Sequence, residues 1–335
     1  MSNYLDRLPV LVISAHSRCN CRCGMCDIWR TPETQQFTLA DLQRHFRDLQ
    51  RLSVEWVVFT GGEALMNADL FAMAHLLRAA AIRVTILTSG LLLARYARDI
   101  AAGADDVIVS LDGPPAIHDR IRGVAGAFEA LAAGVAAVRA VAPRFPMAAR
   151  CTVQKANHAA LLDTALAARS LGLDSISFLA VNPGADAFRH PLETIGTRTG
   201  TLLPAPAEVD ELEREIDRLA DDPVSAIVAE SPQKLRRMVR YFRALASGVE
   251  PEAPRCNAPW VSAVIEPDGA VRPCFFHPPI GSLRQESLSA VVNSERAASF
   301  RDGLDIASNP VCRRCVCSLY RPVGQEAREA PALCE

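Results

Sequence analysis

The chain has 335 residues, half of them hydrophobic, so it can bury a large core in one large domain or two. Its formal net charge is −2 at pH 7 and it has no run of five or more basic residues, which argues against a nucleic-acid footprint. No apolar stretch reaches the roughly 18 uncharged residues of a membrane span, and the N-terminal MSNYLDRLPVLVIS lacks the basic region and cleavage site of a signal peptide, so neither a membrane nor a secretory route is expected and the cytoplasm is the predicted compartment.

From residue 9 to about 182, short β-like runs alternate with helical patterns. The runs are 10–16, 55–60, 83–88, 106–110, 148–153 and 175–180, each rich in β-branched or apolar residues and closed by a polar or glycine turn. Leu39, Leu42, Phe46, Leu49 and Leu52 recur at helical spacing behind Thr38, a fitting N-cap. The Ala-rich segments 68–81, 93–103, 126–142 and 158–171 also read as helices. Six β-α repeats predict a parallel sheet that closes or partly closes into a barrel, with its chemistry at the C-terminal ends of the strands. Residues 183–207, rich in Pro, Gly and Thr, read as a linker or an active-site lid. Helices are expected over 208–220 and 232–247, with Lys234, Arg236, Arg237, Arg240 and Arg243 on a solvated face of the second. The chain thus divides into a barrel (1–182), a linker with lid and helices (183–250) and a cysteine-containing module (251–335).

The turn after the first run, SRCNCRCGMCDIW, carries Cys19, Cys23 and Cys26 as C-x3-C-x2-C. Three thiolates on a short loop suit three irons of a [4Fe–4S] cluster, leaving the fourth open to another ligand; zinc and structural cysteine are the competing uses. Cys21, inside the motif, is read as a non-ligand thiol. Gly61-Gly62-Glu63 closes the second run, Thr88-Ser89-Gly90 the third and Ser110-Leu111-Asp112-Gly113 the fourth, so polar and glycine residues collect at one end of the sheet. His118-Asp119-x-x-Arg122-Gly123 follows and reads as a loop that His118 and Asp119 cap or brace. Among the last 80 residues stand Cys256, Cys274, Cys312, Cys315, Cys317 and Cys334. Pro267-Asp268-Gly269 reads as a hairpin turn that draws Cys256 and Cys274 together, and Cys312-x2-Cys315 adds a close pair. Four thiolates so gathered suit a fully ligated [4Fe–4S] cluster or a zinc ion, and spacing does not choose between them.

Together the two cysteine groups resemble the radical S-adenosylmethionine (SAM) enzymes with a C-terminal auxiliary-cluster module of the SPASM or twitch type. Cys256-x12-Gly269-x4-Cys274, Ile280-Gly281-Ser282-Leu283 and Cys312-x2-Cys315 carry the second half of that resemblance. It implies an α/β fold, a partial (β/α)6 TIM-like barrel with parallel strands plus a small cysteine-rich C-terminal module containing a β-hairpin. It further implies a SAM-binding [4Fe–4S] cluster on Cys19, Cys23 and Cys26, SAM itself, and one auxiliary [4Fe–4S] cluster on Cys256, Cys274, Cys312 and Cys315. A full SPASM module has a C-x2-C-x5-C-x3-C run; here C-x2-C-x-C and then Cys334 favour the shorter form, with Cys317 and Cys334 spare or in an irregular second cluster. Gly61-Gly62-Glu63 resembles the family's GGE motif, with Ala64 where proline is common. By the same resemblance Glu63 accepts from the SAM ammonium, Ser110 and Arg122 hold its carboxylate and ribose, Thr88 touches adenosine, and Met25 packs on adenine where relatives have an aromatic.

The activity implied is reductive cleavage of SAM to methionine and a 5′-deoxyadenosyl radical that abstracts hydrogen from a substrate C–H, with flavodoxin or ferredoxin as electron donor. The expected substrate is a small polar molecule (a sugar, aminocyclitol or nucleoside) that is oxidised or rearranged, the auxiliary cluster serving as electron acceptor or anchor. Only about nine residues precede the first run, which leaves no room there for a leader-peptide domain and makes peptide or protein modification (cross-linking, epimerisation, formylglycine formation) the rival. A non-enzymatic iron–sulfur carrier is the third reading. No general base stands out among Asp112, His118, Cys151, Lys155 and His190.

Overall fold

Every residue of β1 (Val10–His16) is buried, so both of its edges and both of its faces need partners. In the computed structural model, which describes residues 4–184 and 200–322, one edge pairs in parallel with β2 (Trp56–Gly61). Then follow β3 (Arg83–Thr88), β4 (Asp106–Ser110), β5 (Met147–Val153) and β6 (Ser175–Ala180), each parallel to the one before. The other edge of β1 pairs in parallel with β7 (Ser262–Ile265), from Val10↔Ser262 to Ile13↔Ile265. β8 (Ala270–Arg272) and β9 (Gly281–Ser282) add antiparallel strands beyond it, giving the order β6-β5-β4-β3-β2-β1-β7-β8-β9. The expected hairpin is therefore present as β7 and β8. Its first strand also makes the C-terminal module continuous with the barrel sheet, covering an edge that would otherwise leave a buried strand unpaired.

The sheet's two faces differ. Leu11, Ile13, Val57, Phe59, Val84, Ile86, Val107 and Val109 point toward the helices and form the main core. Val10, Val12, Trp56 and Val58 point the other way, onto Ala258, Val261, Val264 and Leu319 of the C-terminal module. On β5 and β6 buried and half-buried residues alternate strictly, so one face of each strand lines open space inside the barrel.

α1 (Leu39–Arg51) starts where the sequence places it. Thr38 accepts from Asp41 N while Asp41 accepts from Thr38 N, closing a capping box. Its buried Leu42 and Leu49 contribute about 1.5–3 kcal/mol each. The same helix holds the C-terminal module: Asp41 pairs with Arg284, and Asp48 accepts from Ser289 Oγ at 2.6 Å. α2 (Leu70–Ala79), α3 (Ala97–Gly103), α5 (Ala127–Val141) and α6 (Leu161–Ser170) cover the outer face. α4 (Pro115–Arg122) departs from the sequence reading, which has a loop here. The helix is too short to show periodicity, but Pro115 suits its first turn and Gly123, in the left-handed region at φ 65°, ends it.

α7 (Pro206–Asp221) packs on α8 (Pro232–Ala246), which lies beside β6. Arg236 pairs with Asp217 at 2.7 Å and Arg243 with Asp210 at 2.8 Å, while Arg237 turns inward, lining a cleft with Cys315. The solvated-face reading thus fails for Arg237. Most of the expected lid, with His190, lies outside the described residues, as does Cys334. Among the described residues no single helix is long and apolar enough to cross a membrane.

Candidate active site

The cysteine loop leaves β1 at an irregularity between Ser14 and His16 and lies across the end of β2. Gly62 N donates to His16 O at 2.8 Å, and Glu63 N to Arg18 O at 2.9 Å. This approach requires both glycines. A Cβ on Gly61, whose φ is +123°, would stand 2.7 Å from His16 O, and one on Gly62 would stand 2.1 Å from Arg18 O. The pair thus admits the backbone of the cysteine loop, besides lining a cavity of about 220 Å³ at the barrel mouth.

On this loop Cys21 and Cys23 are buried and Cys19 and Cys26 half-buried. Cys21 N donates to Cys19 Sγ at 3.4 Å, and Cys26 N to Cys23 O at 3.3 Å. The hydrogen bond with Cys19, together with burial, pushes the Cys21 thiol up to about 12. Cys23 is raised by its hydrogen bond with Cys21 and by burial, and burial pushes Cys26 up to about 12. Crowded thiols resist ionising together without a cation; iron replacing their protons relieves that conflict. Met25 packs beneath, its sulfur 3.7 Å from Gln154 Nε2.

Glu63 is buried and held by four donors. Its Oε1 accepts from Leu65 N at 3.0 Å and Thr88 Oγ1 at 2.7 Å, and its Oε2 from Ser89 N at 2.7 Å and Ser89 Oγ at 2.5 Å. Ser89 Oγ also lies 3.0 Å from Asn20 Oδ1 on the cysteine loop. The ends of β2 and β3 and the cysteine loop are thereby tied into one network.

Arg122, at the end of α4, is buried rather than surface-paired. Its Nη2 lies 2.5 Å from Oδ2 of the fully buried Asp112, and its Nη1 3.8 Å from Cys23 Sγ. Burial opposes the Arg122 charge, but Asp112 and Cys23 outweigh it and hold the guanidinium above its ordinary value. Arg122 Nε is buried without a hydrogen-bond partner among the described residues. His118 Nδ1 accepts from Asp112 N at 3.1 Å; burial, then Arg122, lowers this imidazole to about 4, so it is neutral and braces the turn. Arg22 N donates to Arg122 O at 2.8 Å, and a Cβ on Gly123 would stand 2.5 Å from Arg22 O. The cysteine loop is therefore clamped by β2 on one side and by α4 on the other.

Cys256, Cys274, Cys312 and Cys315 ring a second cavity, of about 70 Å³, between the sheet and the C-terminal module. Among the described residues no three ligating side chains converge on one ion-sized point; these four surround a space instead. Burial, then the neighbouring thiolates, raises Cys312 to about 12 and also lifts Cys315, and burial raises Cys274 to about 11. His277 Nε2 lies 3.3 Å from Cys312 Sγ.

Ser110 is half-buried at the end of β4, in register with Arg150 of β5. Arg150 lines both cavities, as do Leu87, Phe275, Phe276 and Cys317. Arg150 and His277 are absent from the sequence expectations. The alternation of residues 147–153 puts Arg150 on the face of Ala148 and Thr152, which was the available signal for it. Of the residues considered as a base, Lys155 lies 3.8 Å from Glu208, and Cys151 is buried on the helix side of β5, 3.5 Å from Asn157 Nδ2.

Two family models match this chain: the radical SAM superfamily over residues 13–153 and an iron–sulfur cluster-binding domain over residues 256–316. A pre-heme d1 synthase of Dinoroseobacter shibae is 31% identical across 40% of this chain and 38% of its own length. The matches to that synthase and to an AdoMet-dependent heme synthase and an Fe-coproporphyrin III synthase of Methanosarcina barkeri span only 34–45% of those proteins. A GTP 3′,8-cyclase of Acidothermus cellulolyticus is 27% identical across 91% of this chain and 83% of its own. Among solved structures, SuiB of Streptococcus suis bound to S-adenosylmethionine has a TM-score of 0.68 at 14% identity, covering 95% of this chain and 74% of that one.

Proposed function

We infer the reaction from one premise: the chain is a member of the radical SAM superfamily with a C-terminal iron–sulfur cluster-binding domain, so SAM and [4Fe–4S] clusters are its cofactors. When bound, the reduced cluster supplies the electron that splits SAM into methionine and a hydrogen-abstracting 5′-deoxyadenosyl radical. In our reading Cys19, Cys23 and Cys26 are that cluster's ligands, a role that suits three thiols on one clamped loop. Glu63 takes the SAM ammonium: Ser89 Oγ can turn to Asn20 Oδ1, 3.0 Å away, and free an acceptor site on the carboxylate. Arg122 balances the thiolates through Cys23, and its unpartnered Nε is the donor left for the SAM carboxylate. Ser110, Thr88, Met25 and the Gly61-Gly62 backbone complete the cofactor's surroundings. Cys256, Cys274, Cys312 and Cys315 hold an auxiliary cluster.

The substrate in this reading is a small polar molecule, oxidised or rearranged at a C–H bond, with the auxiliary cluster beside it as electron acceptor or anchor. The observation that carries it is the shared wall: Leu87, Arg150, Phe275, Phe276 and Cys317 line both the barrel-mouth cavity and the one ringed by the C-terminal cysteines. A group held there faces both centres. The names of the pre-heme d1 synthase and the GTP 3′,8-cyclase support a small molecule. SuiB has also been solved with a precursor peptide, but at 14% identity it shares the fold alone. Flavodoxin or ferredoxin is the proposed electron donor, and the cytoplasm the proposed compartment.

The test is anaerobic reconstitution with iron and sulfide, reduction with dithionite, addition of SAM and quantification of 5′-deoxyadenosine by mass spectrometry. The product should appear and vanish when Cys19, Cys23 and Cys26 are replaced by alanine, and a small-alcohol substrate should lose two hydrogens. A fully loaded protein that yields none with dithionite, flavodoxin and candidate substrates would favour a non-enzymatic iron–sulfur carrier.

A further inference from the structure

We propose that Arg150 is the anion-recognising residue of the substrate subsite, so that the molecule transformed here carries a carboxylate or phosphate group. This rests on the barrel-mouth cavity being the substrate site and sharpens "polar molecule" to "polar anion".

Arg150 lies in the middle of β5, on the half-buried face with Ala148 and Thr152, while Met147, Ala149, Cys151 and Val153 are buried against the helices. It stands in a row across three strands, Ser110↔Arg150↔Ser177, and its Nε donates to Ser177 Oγ at 3.3 Å. Among the described residues no carboxylate comes within ion-pair distance of it. The carboxylate that acts on it electrostatically, Glu230, is occupied: its Oε2 accepts from Phe178 N at 2.9 Å and its Oε1 is 4.0 Å from Lys234 Nζ. Other enclosed arginines of this sheet region are paired, Arg122 with Asp112 at 2.5 Å and Arg321 with Glu55 at 2.9 Å. A guanidinium partly withdrawn from water without a counter-charge is costly to maintain. Burial lowers Arg150 to about 10, so it remains a cation at neutral pH.

Among the described residues, the other side chains of the barrel-mouth cavity offer that charge no counter-ion. Glu266 is paired with Arg272 at 3.1 Å. His16 is lowered by burial and accepts from Arg18 N at its Nδ1, so it is neutral. Thr60 and Thr152 offer hydroxyls, and Phe275 and Phe276 an apolar wall. Among the described residues, a ligand filling this space meets one fixed cation, hydroxyl groups and aromatic faces, which suits a compact organic anion. A guanidinium binds carboxylate and phosphate alike through paired N–H donors.

The probes are two matched pairs, benzoate against benzyl alcohol and phenyl phosphate against phenol, titrated calorimetrically into reconstituted, SAM-saturated holoenzyme. Wild type should bind the anion of at least one pair roughly tenfold more tightly than its neutral partner, and the pair with the larger ratio identifies the group. Arg150→Gln should abolish the preference and Arg150→Lys, which keeps the charge but loses the fork, should retain part of it; iron per chain checks that both variants are folded and loaded. Equal binding of anion and neutral partner in wild type, or an undiminished preference in Arg150→Gln, overturns the proposal. So does an Arg150→Gln variant whose auxiliary-cluster EPR signal and potential shift while its anion preference stays, since Arg150 would then serve the cluster's charge. 5′-Deoxyadenosine is measured in the same samples. SAM cleavage without anion preference defeats only the subsite; anion preference without SAM cleavage keeps the subsite and defeats the reaction reading.

Discussion

Replacing Gly62 with alanine should remove the SAM-binding cluster and spare the auxiliary one. The new Cβ would lie 2.1 Å from Arg18 O, 2.4 Å from Arg18 C and 3.0 Å from Cys19 N, all backbone atoms that no rotamer change can move aside. Restoring van der Waals distance requires the cysteine loop to withdraw by about 1 Å. That breaks the 2.9 Å bond from Glu63 N to Arg18 O, and an unsatisfied buried donor costs about 1–3 kcal/mol. It also displaces Cys19 by far more than the ~0.2 Å tolerance of a metal–ligand distance. Gly24 supplies the control, since a Cβ there meets nothing within 4 Å on the same loop. After anaerobic reconstitution, Gly62→Ala should carry about four fewer irons per chain than wild type, the content of one [4Fe–4S] cluster, and lose 5′-deoxyadenosine formation at least roughly 100-fold. Gly24→Ala should match wild type in both. Full iron and cleavage within about twofold of wild type in Gly62→Ala would refute the reasoning, as would an equal loss in Gly24→Ala, which would reveal a loop intolerant of any change.

Two further outcomes follow from the buried titratable groups beneath the loop. Asp112→Asn keeps the acceptor for Thr152 N but leaves Arg122 without its counter-charge; the denaturation midpoint should fall by the equivalent of about 3–5 kcal/mol, and adding Arg122→Met should recover part of it. A fall of less than about 1 kcal/mol would mean that water reaches the pair. His118 is lowered from 6.5 to about 4, so the unfolded chain binds the extra proton between those values. Stability from this group is full above pH 6.5 and declines as pH falls to about 4, by about 3 kcal/mol in all. His118→Gln should flatten that part of the acid-unfolding profile relative to wild-type holoprotein, so that the cysteine contribution cancels; identical slopes would show that His118 is not the titrating group.

Much of the barrel is legible in the sequence because its signals are local. A strand's β-branched run and the turn that ends it lie within a few residues of each other, and the boundaries of β1, β3, β4 and β6 coincide with the runs read from composition. The same holds for the Thr38 capping box, whose two halves are three residues apart. Cysteine spacing is equally local, since a loop of eight residues delivers Cys19, Cys23 and Cys26 together wherever it is placed. α4 is not legible in this way because a short helix with few apolar residues shows no period. The role of Gly61 and Gly62 in admitting the cysteine loop was not visible, because the atoms they avoid belong to His16 and Arg18, more than 40 positions away. What tertiary structure alone decided is which face of a strand meets solvent and which strands meet each other. Alternation along 147–153 groups Arg150 with Thr152, but only the neighbours β4 and β6 and the module behind Phe275 turn that face into a cavity wall. Likewise β7 joins β1 across some 250 residues of chain, a pairing set by two buried strand edges that need hydrogen-bond partners and by no signal within either segment.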